Sequence, residues 1–217
     1  MPTIIFGPDP LATGIVKSLS RPGGSITGFT SDGGIEMVGK VLQLLVGGVQ
    51  GVRRVAYYGP RYRWELEQSV AIEAAAKLKV TVEAAPFEAG ALEAEARLVF
   101  AAMAATRPDA VLVSQGVENT SRPKLIAELA LAERLPAIGN QREFAEAGLL
   151  MSYGANYAFQ YRSCAGYVDR ILRGAKVADL PVQQPTIFEF VVNLKTQRAL
   201  GIELPLPVMA FVSEWIE

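Results

Sequence analysis

The sequence predicts an α/β fold built on a mainly parallel sheet. Short apolar runs alternate from residue 52 onward with helical-period segments of about ten residues or more, and strands separated in this way need crossover connections. Gly and Pro clusters punctuate most changes of period. The 217 residues, 50% hydrophobic and 20% charged, suffice for a core that covers a sheet on both faces.

Thr3-Ile4-Ile5-Phe6 reads as a buried strand stopped by Gly7-Pro8-Asp9-Pro10, with a helix over 11–19 expected after the Pro. Arg21-Pro22-Gly23-Gly24 marks a turn before a second strand at 25–30. Ile35, Val38, Leu42, Leu45 and Val46 recur at helical spacing up to Gly47-Gly48. The alternation then runs as strand 52–58, helix 63–77, strand 80–84, helix 92–106 and strand 110–113. Helix 122–133, strand 137–138, a small helix at 142–147, strand 149–152 and a long helix at 158–173 follow, the last closed by Gly174. Residues 175–185 have the composition of a connector between lobes. A strand at 187–193 and a helix at 194–200 come next, then an extended tail at 204–207 and a short strand or helical turn at 211–216.

Composition excludes several functions. With 21 Lys and Arg against 22 Asp and Glu, the net charge is -1, which argues against a nucleic-acid partner. The absence of His removes Ser-His and Cys-His pairs and imidazole metal ligands, and no metal site is expected. Cys164 has no second thiol to pair with and reads as a small buried hydrophobe. No Gly-x-Gly-x-x-Gly follows the first strand of the alternating region and no Walker Lys appears, so no nucleotide or other cofactor is expected. No apolar run reaches the ~20 residues that span a bilayer. The first residues lack the basic and apolar regions of a secretory signal, which as written implies a cytoplasmic chain.

Ligands of a parallel sheet bind at the carboxyl ends of its strands. Asp9 stands after the first strand, where it either caps its own helix or helps to receive a ligand's charged group. Tyr58 and Arg61 belong to Tyr57-Tyr58-Gly59-Pro60-Arg61-Tyr62-Arg63-Trp64, a cluster suited to a flat, carboxylate-bearing ligand or, alternatively, to packing at a helix start. Ser114, Gln115 and Asn119 follow the strand at 110–113, and either contact ligand or cap the next helix. Asn140, Tyr153 and Tyr157 follow the next two strand ends and complete a polar and aromatic ring. Asp9 and Glu118 could be imagined as an acid and base pair, but no catalytic residue is assigned.

Three stretches carry a family resemblance. They are Asp9-Pro10-Leu11-Ala12-Thr13-Gly14 with the segment from Ser18 to Gly28, the segment Glu143-Phe144-Ala145-Glu146-Ala147-Gly148-Leu149-Leu150-Met151-Ser152-Tyr153-Gly154, and Val192-Asn193-Leu194-Lys195-Thr196 with Ala199-Leu200-Gly201. In order and extent they resemble the substrate-binding component of ABC transporters, in the branch that includes tryptophan- and tyrosine-binding lipoproteins. The resemblance implies a type I periplasmic-binding-protein fold, with two α/β lobes that close on a small solute such as an amino acid. Lobe two is expected at 35–154 and 186–217, complete, and a part of lobe one at 1–34 and 155–185, with hinge crossings near 35–46 and 175–185.

Compared with the family the chain looks N-terminally truncated. A truncated cleft implies weak binding, and a homodimer through the lobe-one remnant is expected. The resemblance further implies an ABC permease as partner and a periplasmic or lipoprotein location. The alternatives are a cytoplasmic α/β enzyme of flavodoxin-like or Rossmann-like type, and a remnant without ligand.

Overall fold

A computed structural model describes residues 1–7, 10–11, 13–31, 33–90 and 93–217. Strands β1 (Thr3–Gly7) and β2 (Ile26–Thr30) precede helix α1 (Met37–Gly48). The alternation follows as β3 (Arg54–Pro60), α2 (Arg61–Leu78), β4 (Thr81–Phe87), α3 (Glu93–Thr106) and β5 (Ala110–Val113). A short α4 (Val117–Thr120) leads into α5 (Pro123–Ala132), β6 (Ala137–Gly139), α6 (Arg142–Ala147) and β7 (Met151–Ala155). The remainder comprises α7 (Tyr157–Leu172), a 3-10 turn at Val177–Asp179, β8 (Phe188–Asn193), α8 (Leu194–Leu200), α9 (Leu206–Met209) and β9 (Glu214–Ile216).

The chain divides into two compact units, Met1–Gly34 with Ala155–Phe188 and Ile35–Gly154 with Glu189–Glu217. The second unit holds a seven-stranded sheet in the order β4-β3-β5-β6-β7-β8-β9. Its β3–β4, β3–β5, β5–β6, β6–β7 and β8–β9 pairs are parallel. Successive side chains alternate between two cores, as a sheet buried on both faces requires. Val55, Tyr57, Leu112, Ile138 and Met151 pack beneath α1 and α2 with Val41, Leu42, Leu45, Ala71 and Ala75. Ala56, Tyr58, Val111 and Val113 face α3 and α5 through Phe100, Met103, Ile126 and Ala127.

Local chemistry sets the element ends. Lys79 ends α2 in the left-handed conformation. Asn193 caps α8, its Oδ1 accepting from the Thr196 N–H at 2.9 Å, and Gly201 at φ 69° closes it. Arg142 fastens β9 to α6, donating from Nη1 and Nη2 to the two carboxylate oxygens of Glu214 at 2.6 and 2.7 Å and from Nε to Glu146 at 2.6 Å. That guanidinium holds the Glu214 carboxyl below the usual range.

In the first unit β1 and β2 are parallel, with Phe6 opposite Phe29 and Gly7 opposite Thr30. Phe29, Tyr167 and Leu180 form its core, with Ile4, Phe6, Cys164 and Ile171 packed against them. The Tyr167 hydroxyl donates to the Pro181 carbonyl at 2.6 Å and the Thr27 hydroxyl to that of Leu180 at 2.7 Å.

Three expectations need correction. No helix runs over 11–19 among the described residues; Ile15 and Val16 N–H both bond the Pro10 carbonyl, and Gly14 at φ 72° turns the chain. Residues 175–185 stay within the first unit, because Gln183 exchanges backbone bonds with Gly28 and Thr30 beside β2, and the passage to the second unit falls after Phe188. The tail at 204–207 is not wholly extended, since Pro205 and Pro207 start α9, a position where a missing N–H costs nothing.

Candidate functional site

The carboxyl ends of β3, β5, β6 and β7 are neighbours in the sheet of the second unit, so the residues that follow them in sequence leave the same edge of that sheet. Beyond β5, Ser114 is 2% and Asn119 1% exposed. Asn119 Nδ2 donates to the Ser114 carbonyl at 2.9 Å and to its hydroxyl at 3.3 Å, which ties the loop to α4. Asn119 Oδ1 is buried without a hydrogen-bond partner. Gln115 is half-buried.

Beneath this loop lies a buried polar network that the sequence reading missed. The Tyr57 hydroxyl donates to Glu67 Oε2 at 2.5 Å, and Arg63 Nη2 donates to Glu67 Oε1. Burial, and then the Glu67 charge and hydrogen bond, push the Tyr57 phenol well above its ordinary value. The available signal was the i, i+4 spacing of Arg63 and Glu67 on α2, which places both on one side of the helix.

Other expected site residues have different surroundings. The Tyr58 ring lies in the core, 5.0 Å from the Phe87 ring and 4.9 Å from Phe100 by centroid, and burial pushes its phenol up to about 12. One residue along a strand reverses the side-chain direction, so Tyr57 and Tyr58 enter opposite cores. Arg61 is exposed and donates to Glu88 at 2.6 Å. Tyr62 donates to Glu118 at 3.3 Å, close to Gly116.

Asn140 follows β6, and its Oδ1 is buried without a partner. Its backbone carbonyl abuts Gly154 of β7 so closely that an added Cβ would come within 1.7 Å. Tyr153, half-buried, sets its ring edge-on to Phe190 at 6.3 Å. In the first unit Tyr157 opens α7 and packs on Phe6. Asp9 lies outside the described residues. The structure therefore brings Ser114 and Asn119 together, leaves Arg61 engaged elsewhere and buries the Tyr58 ring.

Among the described residues no group of three or more His, Cys, Asp or Glu is arranged to hold a metal ion. No helix among them is long and apolar enough to cross a membrane.

No curated protein sequence matches the chain significantly. Solved structures share its α/β fold. A conserved domain protein from Vibrio cholerae matches with a TM-score of 0.80 at 22% identity over 95% of this chain and 68% of that one. An ABC domain from Streptococcus pneumoniae in complex with L-Trp matches with a TM-score of 0.80 at 22% identity over 96% and 69%. The ligand-free, open form of a substrate binding protein with adhesive properties from Clostridium difficile matches with a TM-score of 0.73 at 22% identity over 100% and 72%. The family model described as ABC transporter substrate binding protein matches residues 1–215. With that match spanning nearly its whole length, the chain belongs to the ABC transporter substrate-binding protein family.

Proposed function

We propose that this chain binds a small amphiphilic solute of the amino-acid class as the recognition component of an ABC importer, without covalent chemistry. The observation that carries the reading is the crowding of polar groups at one sheet edge, where Asn119 Oδ1 and Asn140 Oδ1 are buried acceptors without protein partners. Unmet buried acceptors suit a site that a ligand or ordered water completes. The fold shared with a protein solved with L-Trp supports the solute class. Ser114, Gln115, Asn119, Asn140 and Tyr153 act in the second unit, and Asp9 and Tyr157 in the first. Tyr58 supports the edge from the core, and Arg61 takes part by exchanging Glu88 for a ligand carboxylate. The remaining parts of the reading are a permease as partner, a periplasmic or lipid-anchored location, and lobe identities for the two units.

A thermal-shift screen with the twenty amino acids and common nucleotides tests this reading. At least one amino acid is expected to raise the melting temperature; a ligand at 100 times its Kd adds about 2.7 kcal/mol. Stabilisation by nucleotides alone would favour an enzyme instead.

The proposal includes self-association. Among the described residues β1 pairs on one side only, with β2, and Thr3-Ile4-Ile5-Phe6 carries no charge or Pro to discourage strand addition. Two copies joined through β1 about a two-fold axis would form one four-stranded sheet. Sedimentation at micromolar concentration is expected to show a dimer, and a monomer would refute it.

A further inference from the structure

The end of β1 and the first turns of α7 build a feature within the first unit that composition did not suggest. Tyr157 and Tyr161, one helical turn apart, both lay their rings against Phe6. The centroid of Phe6 is 5.2 Å from that of Tyr157, nearly perpendicular at 89°, and 4.7 Å from that of Tyr161 at 32°. Tyr161 remains 58% exposed, so the cluster offers an aromatic surface. Edge and face contacts of this kind hold the rings as a preorganised platform.

Gln160, between the two tyrosines, is 3% exposed. Its Nε2 donates to the carbonyl of Thr30, the last residue of β2, at 2.8 Å. A carbonyl can only accept, so this bond fixes which end of the amide is nitrogen and leaves Oε1 as the free end. That oxygen is buried and has no hydrogen-bond partner. Register places Thr30 opposite Gly7, next to Phe6, so the unmet acceptor and the platform share one edge of the small sheet.

We infer that Phe6, Tyr157, Tyr161 and Gln160 form a solute half-site in the first unit, in which the rings stack a flat group of the ligand and Gln160 Oε1 accepts an N–H from it. The inference rests on the solute-binding reading above and adds a specificity rule to it. A ligand with an N–H donor beside its flat group is retained, and one lacking that donor leaves a buried acceptor unmet and is rejected about ten- to hundredfold. The donor is either a ring N–H or a side-chain ammonium.

Calorimetry on the full chain with three probes separates these sources. L-tryptophan carries both donors, 1-methyl-L-tryptophan lacks the ring donor, and indole-3-propionate lacks the ammonium. The parent chain is expected to bind tryptophan and to bind one of the other two ten- to hundredfold more weakly. In Gln160→Met, which keeps side-chain length but has no amide, tryptophan binding should fall by the same factor while binding of the affected analogue stays unchanged. Tyr161→Ala should weaken all three probes. Equal affinity of the parent chain for the three probes, meaning that Oε1 meets only water, would overturn the inference, as would a preference that survives Gln160→Met. If Gln160→Met does not fold, the parent probe ratios and Tyr161→Ala still decide. Failure to bind any of the three, with another amino acid still stabilising the chain, would sink the half-site alone; failure with every amino acid would sink the solute-binding reading as well.

Discussion

Gly154→Ala is expected to destabilise the second unit by about 3 kcal/mol and to abolish solute binding. The new Cβ would lie 1.7 Å from the Asn140 carbonyl oxygen, 2.7 Å from its carbon and 3.5 Å from the Gln141 nitrogen. These are backbone atoms, which cannot rotate away as a side chain can. They also follow β6, whose Ile138 and Gly139 are in parallel register with Met151 and Ser152 of β7. Relieving the clash means separating β6 from β7 at the edge where Asn140 and Tyr153 stand. Gly166→Ala provides the contrast. That glycine lies within α7 with nothing within 4 Å of an added Cβ. Alanine there should stabilise the helix by roughly 0.5–1 kcal/mol. Urea unfolding together with hydrogen exchange over 137–155 measures both. A Gly154→Ala chain as stable as its parent would show that the strands do not approach this closely.

Glu67→Ala should cost about 3–5 kcal/mol, because it strands the Arg63 guanidinium in a largely buried position and removes the acceptor of the Tyr57 hydroxyl. Deleting both charges, as Arg63→Met with Glu67→Leu, should recover much of the loss, since two apolar side chains of similar size need no desolvation offset. A double variant as unstable as Glu67→Ala would mean that the pair is not the source of the effect. The buried phenols of Tyr57, within this network, and of Tyr58, in the opposite core, add a pH signature. Tyr58 is raised from 10.0 to about 12, and Tyr57 is raised as well. Above pH 10 the unfolded chain releases phenol protons that the folded chain retains, so stability is full below that pH and is lost as pH rises. For Tyr58 alone the loss amounts to about 2 kcal/mol by pH 12. Urea midpoints taken from pH 9 upward should fall in the parent, and a flat profile would contradict buried, protonated phenols.

The alternation of the second unit was legible because its signal is local. A strand buried on both faces is a short apolar run, and an intervening helix shows its own period, so β3 to β7 and their helices follow from residues near one another in the chain. The first unit resisted the same reading. Pro10 and the apolar positions after it look like a helix start, yet Gly14 and the bonds to the Pro10 carbonyl produce turns instead. Residues 175–185 look like a linker because their composition is polar and Pro-bounded, yet Leu180 and Val182 are buried, and Gln183 extends the hydrogen bonding of β2. Both errors have one cause, since propensity describes a segment before its partners arrive.

For the candidate site, chain order alone sets which residues follow strand ends, and that was readable from the residues in order. Family membership was likewise carried by motif order. Which of those side chains are committed elsewhere emerges from the folded chain alone. Tyr57 and Tyr58 are adjacent in sequence but enter opposite cores, Arg61 turns to Glu88, and Gln160 reaches a carbonyl 130 residues away, leaving its oxygen unmet. A hydrogen bond depends on distances of a few tenths of an ångström between groups far apart in the chain, and no local pattern of residue types encodes them.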